Sequence, residues 1–157
     1  MVDYTYPKFP SIAVWNVAFM RGERNNLWDW LTEPDWRHVC AFGYSVTTDT
    51  WVIYDVADTH SRISVVDGRW LDRWFDANSG RFTAVLKVET QSGDLRSRVG
   101  LWCVTAIKHL IGSRSGALRP MALYRDLLRS GAQPAFEELY GHESETSSGG
   151  SGNQSTA

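Results

Sequence analysis

Cys103 and His38 are the two residues of this chain whose types suit nucleophilic acyl transfer. Cys103 follows Gly100-Leu101-Trp102 and leads Val104-Thr105-Ala106-Ile107-Lys108-His109-Leu110-Ile111-Gly112, a run with helical apolar spacing. The pattern predicts a helix from Cys103 to about Ile111, closed by Gly112. A thiol in a first helical turn lies beside N–H groups with no partner inside the helix and at the positive end of the helix dipole, which favour thiolate over thiol. The same N–H groups suit the oxyanion of a tetrahedral intermediate. His38 stands in Trp36-Arg37-His38-Val39-Cys40-Ala41-Phe42, at the opening of a predicted strand. Imidazole titrates near neutrality and is the commonest general base for such a thiol. Each residue also has a structural alternative: Cys103 as a small buried apolar group, His38 as a half-exposed ring beside Trp36.

An active pair needs a third group to orient the imidazole. Asp55 ends the predicted strand Trp51 to Val56, which forms a hairpin with Val39 to Ser45 through Thr47-Thr48-Asp49-Thr50. A turn centred on Thr48 and Asp49 sets Phe42 opposite Asp55. Asp55 then shares the face of His38 but lies about four residues away, roughly 13 Å at ~3.4 Å per residue. Asp58 is nearer along the strand but on the other face. Asp55 is therefore the orienting candidate only with a bulge or another register. A metal site from His38, Cys40, Cys103 and His60 would lack the usual ligand spacings, so no metal or cofactor is expected. His109 and Lys108 read as surface residues.

Elements around these residues are legible as well. Ser11 to Phe19 and Arg62 to Val66 read as strands, and Asn25 to Leu31 as a short helix stopped before Pro34. After the Asp67-Gly68 turn, Trp70, Leu71 and Trp74 have helical spacing up to Asn78-Ser79-Gly80. Arg81 to Glu89 alternates, with Phe82, Ala84, Leu86 and Val88 on one face. Gln91 to Asp94 reads as a turn. Pro120 suits the first position of a helix running to Arg129, with Leu123, Leu127 and Leu128 as its apolar stripe. This is an α+β chain: an antiparallel sheet packed on the cysteine-bearing helix, with smaller helices at the edges.

The chain has 157 residues, 43% of them hydrophobic, enough for one domain over 1–142. Residues 1–10 read as an extended arm, and 143–157 as a flexible Ser/Gly-rich tail. A net charge of −2 without a basic run gives no electrostatic case for nucleic acid. Two cysteines do not make a disulfide scaffold. Neither a signal peptide nor a membrane span is expected, which points to synthesis in a cytoplasm.

The segments His38 to Phe42, Trp51 to Asp55 and Trp102 to Gly112, followed by Leu118-Arg119-Pro120 to Leu128, resemble circularly permuted papain-fold proteins. That group includes NlpC-like and lecithin:retinol acyltransferase-like enzymes and many small bacteriophage and prophage proteins. The histidine strand precedes the cysteine helix in them, as it does here. The resemblance spans about residues 36–130. It implies Cys103 as nucleophile and His38 as base in a cysteine hydrolase cleaving amide bonds, of peptidoglycan stem peptides or of a protein. It equally admits a non-catalytic component of a virion or tail assembly, with other protein subunits as partners.

Overall fold

The computed structural model of the chain describes residues 12–22, 33–56, 60–90 and 103–135. The arm expected over 1–10, the helix over 25–31, the turn at 91–94 and the tail from 143 lie outside these residues, as does Asp58.

Among the described residues the fold is α+β, with six strands and three α-helices. β1 is Val14–Met20, β2 His38–Ser45, β3 Thr50–Val56, β4 Ser61–Val66, β5 Phe82–Glu89 and β6 Gln133–Pro134. The helices are α1 (Gly68–Asn78), α2 (Cys103–Leu110) and α3 (Pro120–Arg129). The strands form one antiparallel sheet in the order β4-β3-β2-β1-β5-β6. The very short β6 has no period-2 run to announce it in the sequence.

Alternation along the strands splits the core into two layers. Val17 and Phe19, Val39 and Ala41, and Leu86 and Val88 face α2 and α3, where they meet Val104, Ile107, Ile111, Leu123 and Leu127. Ala18 and Met20, Cys40 and Phe42, Ile53 and Val85 face the opposite way and pack on Leu71, Trp74 and Phe75 of α1. The sheet is therefore covered on both sides, and α1 is a second layer rather than an edge helix. Its start is fixed by Asp67, whose carboxylate accepts from the Trp70 N–H at 2.7 Å. α2 ends where Gly112 takes a φ of 75°, which lets the Ser113 N–H reach back to the Lys108 carbonyl at 2.9 Å.

Two expectations need correction. Phe82 does not share a face with Ala84, Leu86 and Val88. The β1–β5 register slips between Phe19 and Met20, so that Phe19 pairs with Ala84 and Met20 with Phe82. The extra residue, Thr83, turns Phe82 onto the α1 side, beside Trp74 and Phe75. The hairpin register also differs: Phe42 lies opposite Ile53, and Ser45 opposite Thr50. The loop is 46–49, and Asp49 closes it with a φ of 51°. Aspartate tolerates this left-handed conformation, whereas a β-branched threonine resists it, so Thr50 begins the strand instead of ending the turn.

β2 also needs a glycine. A Cβ on Gly43 would sit 2.5 Å from Ile12 Cγ2 and 3.0 Å from the Trp15 ring, whereas one on Gly116 would meet nothing within 4 Å. Gly43→Ala is expected to lower the unfolding free energy by about 1–3 kcal/mol through overpacking. Gly116→Ala should stay within about 0.5 kcal/mol of the parent. Urea midpoints of the two variants check this.

Candidate functional site

The corrected register brings Asp55 to His38. Counting on from Ala41 opposite Tyr54, Asp55 falls level with Cys40, two residues from the level of His38 rather than four. Diagonal neighbours at that separation are within reach of long side chains. His38 Nε2 and Asp55 Oδ1 are 2.7 Å apart. The expected gap of roughly 13 Å is thus removed by a two-residue change in the register sum, without a bulge.

The ladder between β2 and β3 stops at Ala41–Tyr54. Beyond it β2 runs back to His38 along β1, and β3 runs on to Val56 along β4. His38 and Asp55 occupy this end of the sheet, where the two strands are no longer bridged. Cys103 starts α2 on the other side of the sheet, half-buried against the larger core cluster. Its thiol acts on the His38 ring and helps to raise the ring's pKa. Three segments distant in sequence therefore contribute one side chain each to the same sheet end.

Electrostatics at the site follow from this geometry. Burial opposes charge on the His38 ring. The hydrogen bond to Asp55 and the interaction with Cys103, together with the charges of both, overcome that cost and raise its pKa from 6.5 to about 9. The hydrogen bond to His38 holds the Asp55 carboxyl below its ordinary 3.8, against the opposing effect of burial. The charges of His38 and of Arg62 and the Val56 N–H act in the same direction. Sequence reading overlooked Arg62. It lies directly opposite Asp55 across the β3–β4 ladder, and only the pairing of Arg62 to Val66 with β3 would have revealed it. Cys40 is different in kind. It is buried, its thiol lies 3.7 Å from Met20 Sδ, and burial, reinforced by the charges of Asp55 and Cys103, pushes its pKa strongly up.

Lys108, read as surface, is 4% exposed. Its helical position, one turn from Val104, turns it inward, and its ammonium donates to the Ala117 carbonyl at 2.6 Å. It ties the segment after α2 to the helix. His109 and His60 are exposed. Among the described residues no group of three or more His, Cys, Asp or Glu is placed to hold a metal ion. No helix among them is long and apolar enough to cross a membrane. None of the protein families, curated proteins or solved structures compared with the chain matches it.

The His38–Asp55 pair gives stability a defined pH window. His38 has a raised folded-state pKa, so its contribution is complete below 6.5 and fades as the pH rises through about 9. Asp55 has a lowered one, so its contribution is present above 3.8 and fades as the pH falls through the lowered value. The chain should therefore exceed Asp55→Asn in stability most between these two ordinary values. The advantage is expected to be about 0.5–1 kcal/mol, allowing for partial solvent screening. It should vanish near pH 10 and in strong acid. Urea unfolding of both proteins across pH measures it.

Proposed function

We propose that the chain is a cysteine hydrolase of permuted papain-like type, with Cys103 as nucleophile, His38 as general base and acid, and Asp55 as the group that orients the ring. The observation that carries this reading is the 2.7 Å contact of His38 Nε2 with Asp55 in a ring on which Cys103 also acts. The resemblance supplies the reaction class, amide cleavage, and the substrate class, a peptidoglycan stem peptide or a protein.

In the proposed cycle His38 takes the Cys103 proton, and the thiolate attacks the amide carbonyl. In this cycle the ring nitrogen that Asp55 leaves free, Nδ1, takes the thiol proton, and Asp55 fixes both tautomer and orientation. N–H groups in the first turn of α2 have no intrahelical partner and face the developing oxyanion. The imidazolium protonates the departing amine, leaving a thioester on Cys103. His38 then deprotonates a water that attacks the thioester. The acid is released and the thiol is restored. A ring that stays charged up to about pH 9 favours the thiolate–imidazolium state from which such a cycle starts.

Alkylation by iodoacetamide tests the reading without a known substrate. At pH 6 an ordinary thiol of pKa ~8.5 is less than about 1% thiolate. Cys103 should nonetheless react, at least about tenfold faster than in His38→Ala. Buried Cys40 is the internal control, and mass spectrometry of the tryptic peptides separates the two. Turnover of stem peptides or of a protein by the parent, lost in Cys103→Ala, would complete the case. Labelling of Cys103 no faster than Cys40, and indifferent to His38→Ala, would overturn it and leave the same fold as a structural part of an assembly.

A further inference from the structure

We infer that Arg62 is a positioning residue that acts on the His38 ring through Asp55 and sets the pH range over which the proposed pair works. The inference rests on the triad reading above, but its evidence is the sheet itself. Asp55 and Arg62 are direct cross-strand partners in the β3–β4 ladder, so their side chains leave the sheet on the same side, with Cβ atoms about 4.5–5.5 Å apart. Asp55 meets His38 on its other flank. His38, Asp55 and Arg62 thus lie on three consecutive strands at one end of the sheet. Their charges alternate, and Cys103 precedes them as the group that becomes anionic.

The neighbouring charges leave Arg62 as the group on β4 that acts on the carboxylate. From β2 come His38 and the buried Cys40, and from α2 Cys103. Arg81, just before β5, acts on Cys40. α1, packed over the same side of the sheet, turns Leu71, Trp74 and Phe75 inward, while Arg69, Asp72, Arg73 and Asp76 stay exposed. Arg62 acts on the Asp55 carboxylate through its charge rather than as a support. By drawing the carboxylate's negative charge toward β4, Arg62 reduces what the ring feels. That matters for the chemistry, because an imidazolium held too firmly by its carboxylate is a poor acid toward a leaving amine.

The sign follows directly. Removing the cation raises the pKa of Asp55 and, because the carboxylate then acts on the ring undivided, also that of His38. In the intact chain, ring-proton NMR of His38, identified by comparison with His38→Ala, should give a midpoint that rises by roughly a few tenths of a pH unit in Arg62→Met. Arg62→Lys should restore the parent value. In 1 M salt the parent and Arg62→Met should converge, since Arg62 is exposed and its field is screened. The alkaline limb of Cys103 alkylation should move by the same amount without a loss of height, which a merely structural role would not produce. An unchanged or lowered His38 midpoint in Arg62→Met at low salt would overturn the inference, as would an Arg62→Lys shift equal to that of Arg62→Met. The two readings fail separately: the ring titration decides the role of Arg62, and alkylation of the parent decides whether Cys103 is a nucleophile at all.

Discussion

The register of the β2–β3 hairpin is the constraint on which the site depends. Side chains in a sheet alternate with a period of two, so a change of two in the register sum keeps every residue on its face and moves only its level. That change is made at Asp49, whose left-handed backbone closes the loop one residue before Thr50. The Tyr44 hydroxyl hydrogen-bonds the Asp49 carboxylate, and Thr48 bonds both Ser45 and Thr50 within the same turn. A few polar contacts at one end of the hairpin thus decide which residue of β3 meets His38 at the other. Because the ladder has ended by then, the two side chains approach each other without a backbone bridge between their strands.

Local pattern made some of this legible and hid the rest. Pro120 and the leucine stripe delimit α3 at Pro120–Arg129, and the helical spacing after Gly100 places Cys103 at the start of α2. Both are local signals: a fixed φ at a first helical position, and a period of 3.6. The residue types of the site were legible for the same reason. Their meeting was not, because it depends on which residue ends a four-residue loop, and composition leaves that choice nearly balanced. Thr83 is a similar case. Nothing in an alternating run marks the residue that will bulge, and here it reverses the facing of Phe82. Lys108 was misread because its type argues for solvent, while the acceptor that admits it to the interior, the Ala117 carbonyl, belongs to a segment nine residues away. Arg62 was passed over because a charged residue on an edge strand is ordinary until its partner across the ladder is known.

The two cysteines show how position decides chemistry for one residue type. Cys40 is one residue from Val39 and two from His38, yet it is buried against Met20 on the α1 side, and its thiol is kept protonated by burial. Cys103 is half-buried at a helix start and interacts with a charged ring. Close proximity to the same histidine therefore goes with a fully buried core residue in one case and a half-buried residue at a helix start in the other. The difference lies in solvation and in the helix end, not in distance along the chain.

Eight residues are too few for α2 to hold itself helical in water, since nucleation is unfavourable and each added residue contributes little. Its helicity and its placement both come from the sheet. Val104, Ile107 and Ile111 are buried in the core layer where α2 meets β2 and β3, and the Lys108–Ala117 hydrogen bond secures the chain that follows. The first turn of α2 is therefore positioned by apolar contacts further along the helix, on the same strands whose ends carry His38 and Asp55. Any loss of packing in that layer moves the thiol relative to the ring before it unfolds the sheet, because the helix has little stability of its own to resist the displacement. The alignment of Cys103 with His38 is in this sense a property of the core, and the site is as rigid as the layer of Phe19, Val39, Leu86 and Ile107 beneath it.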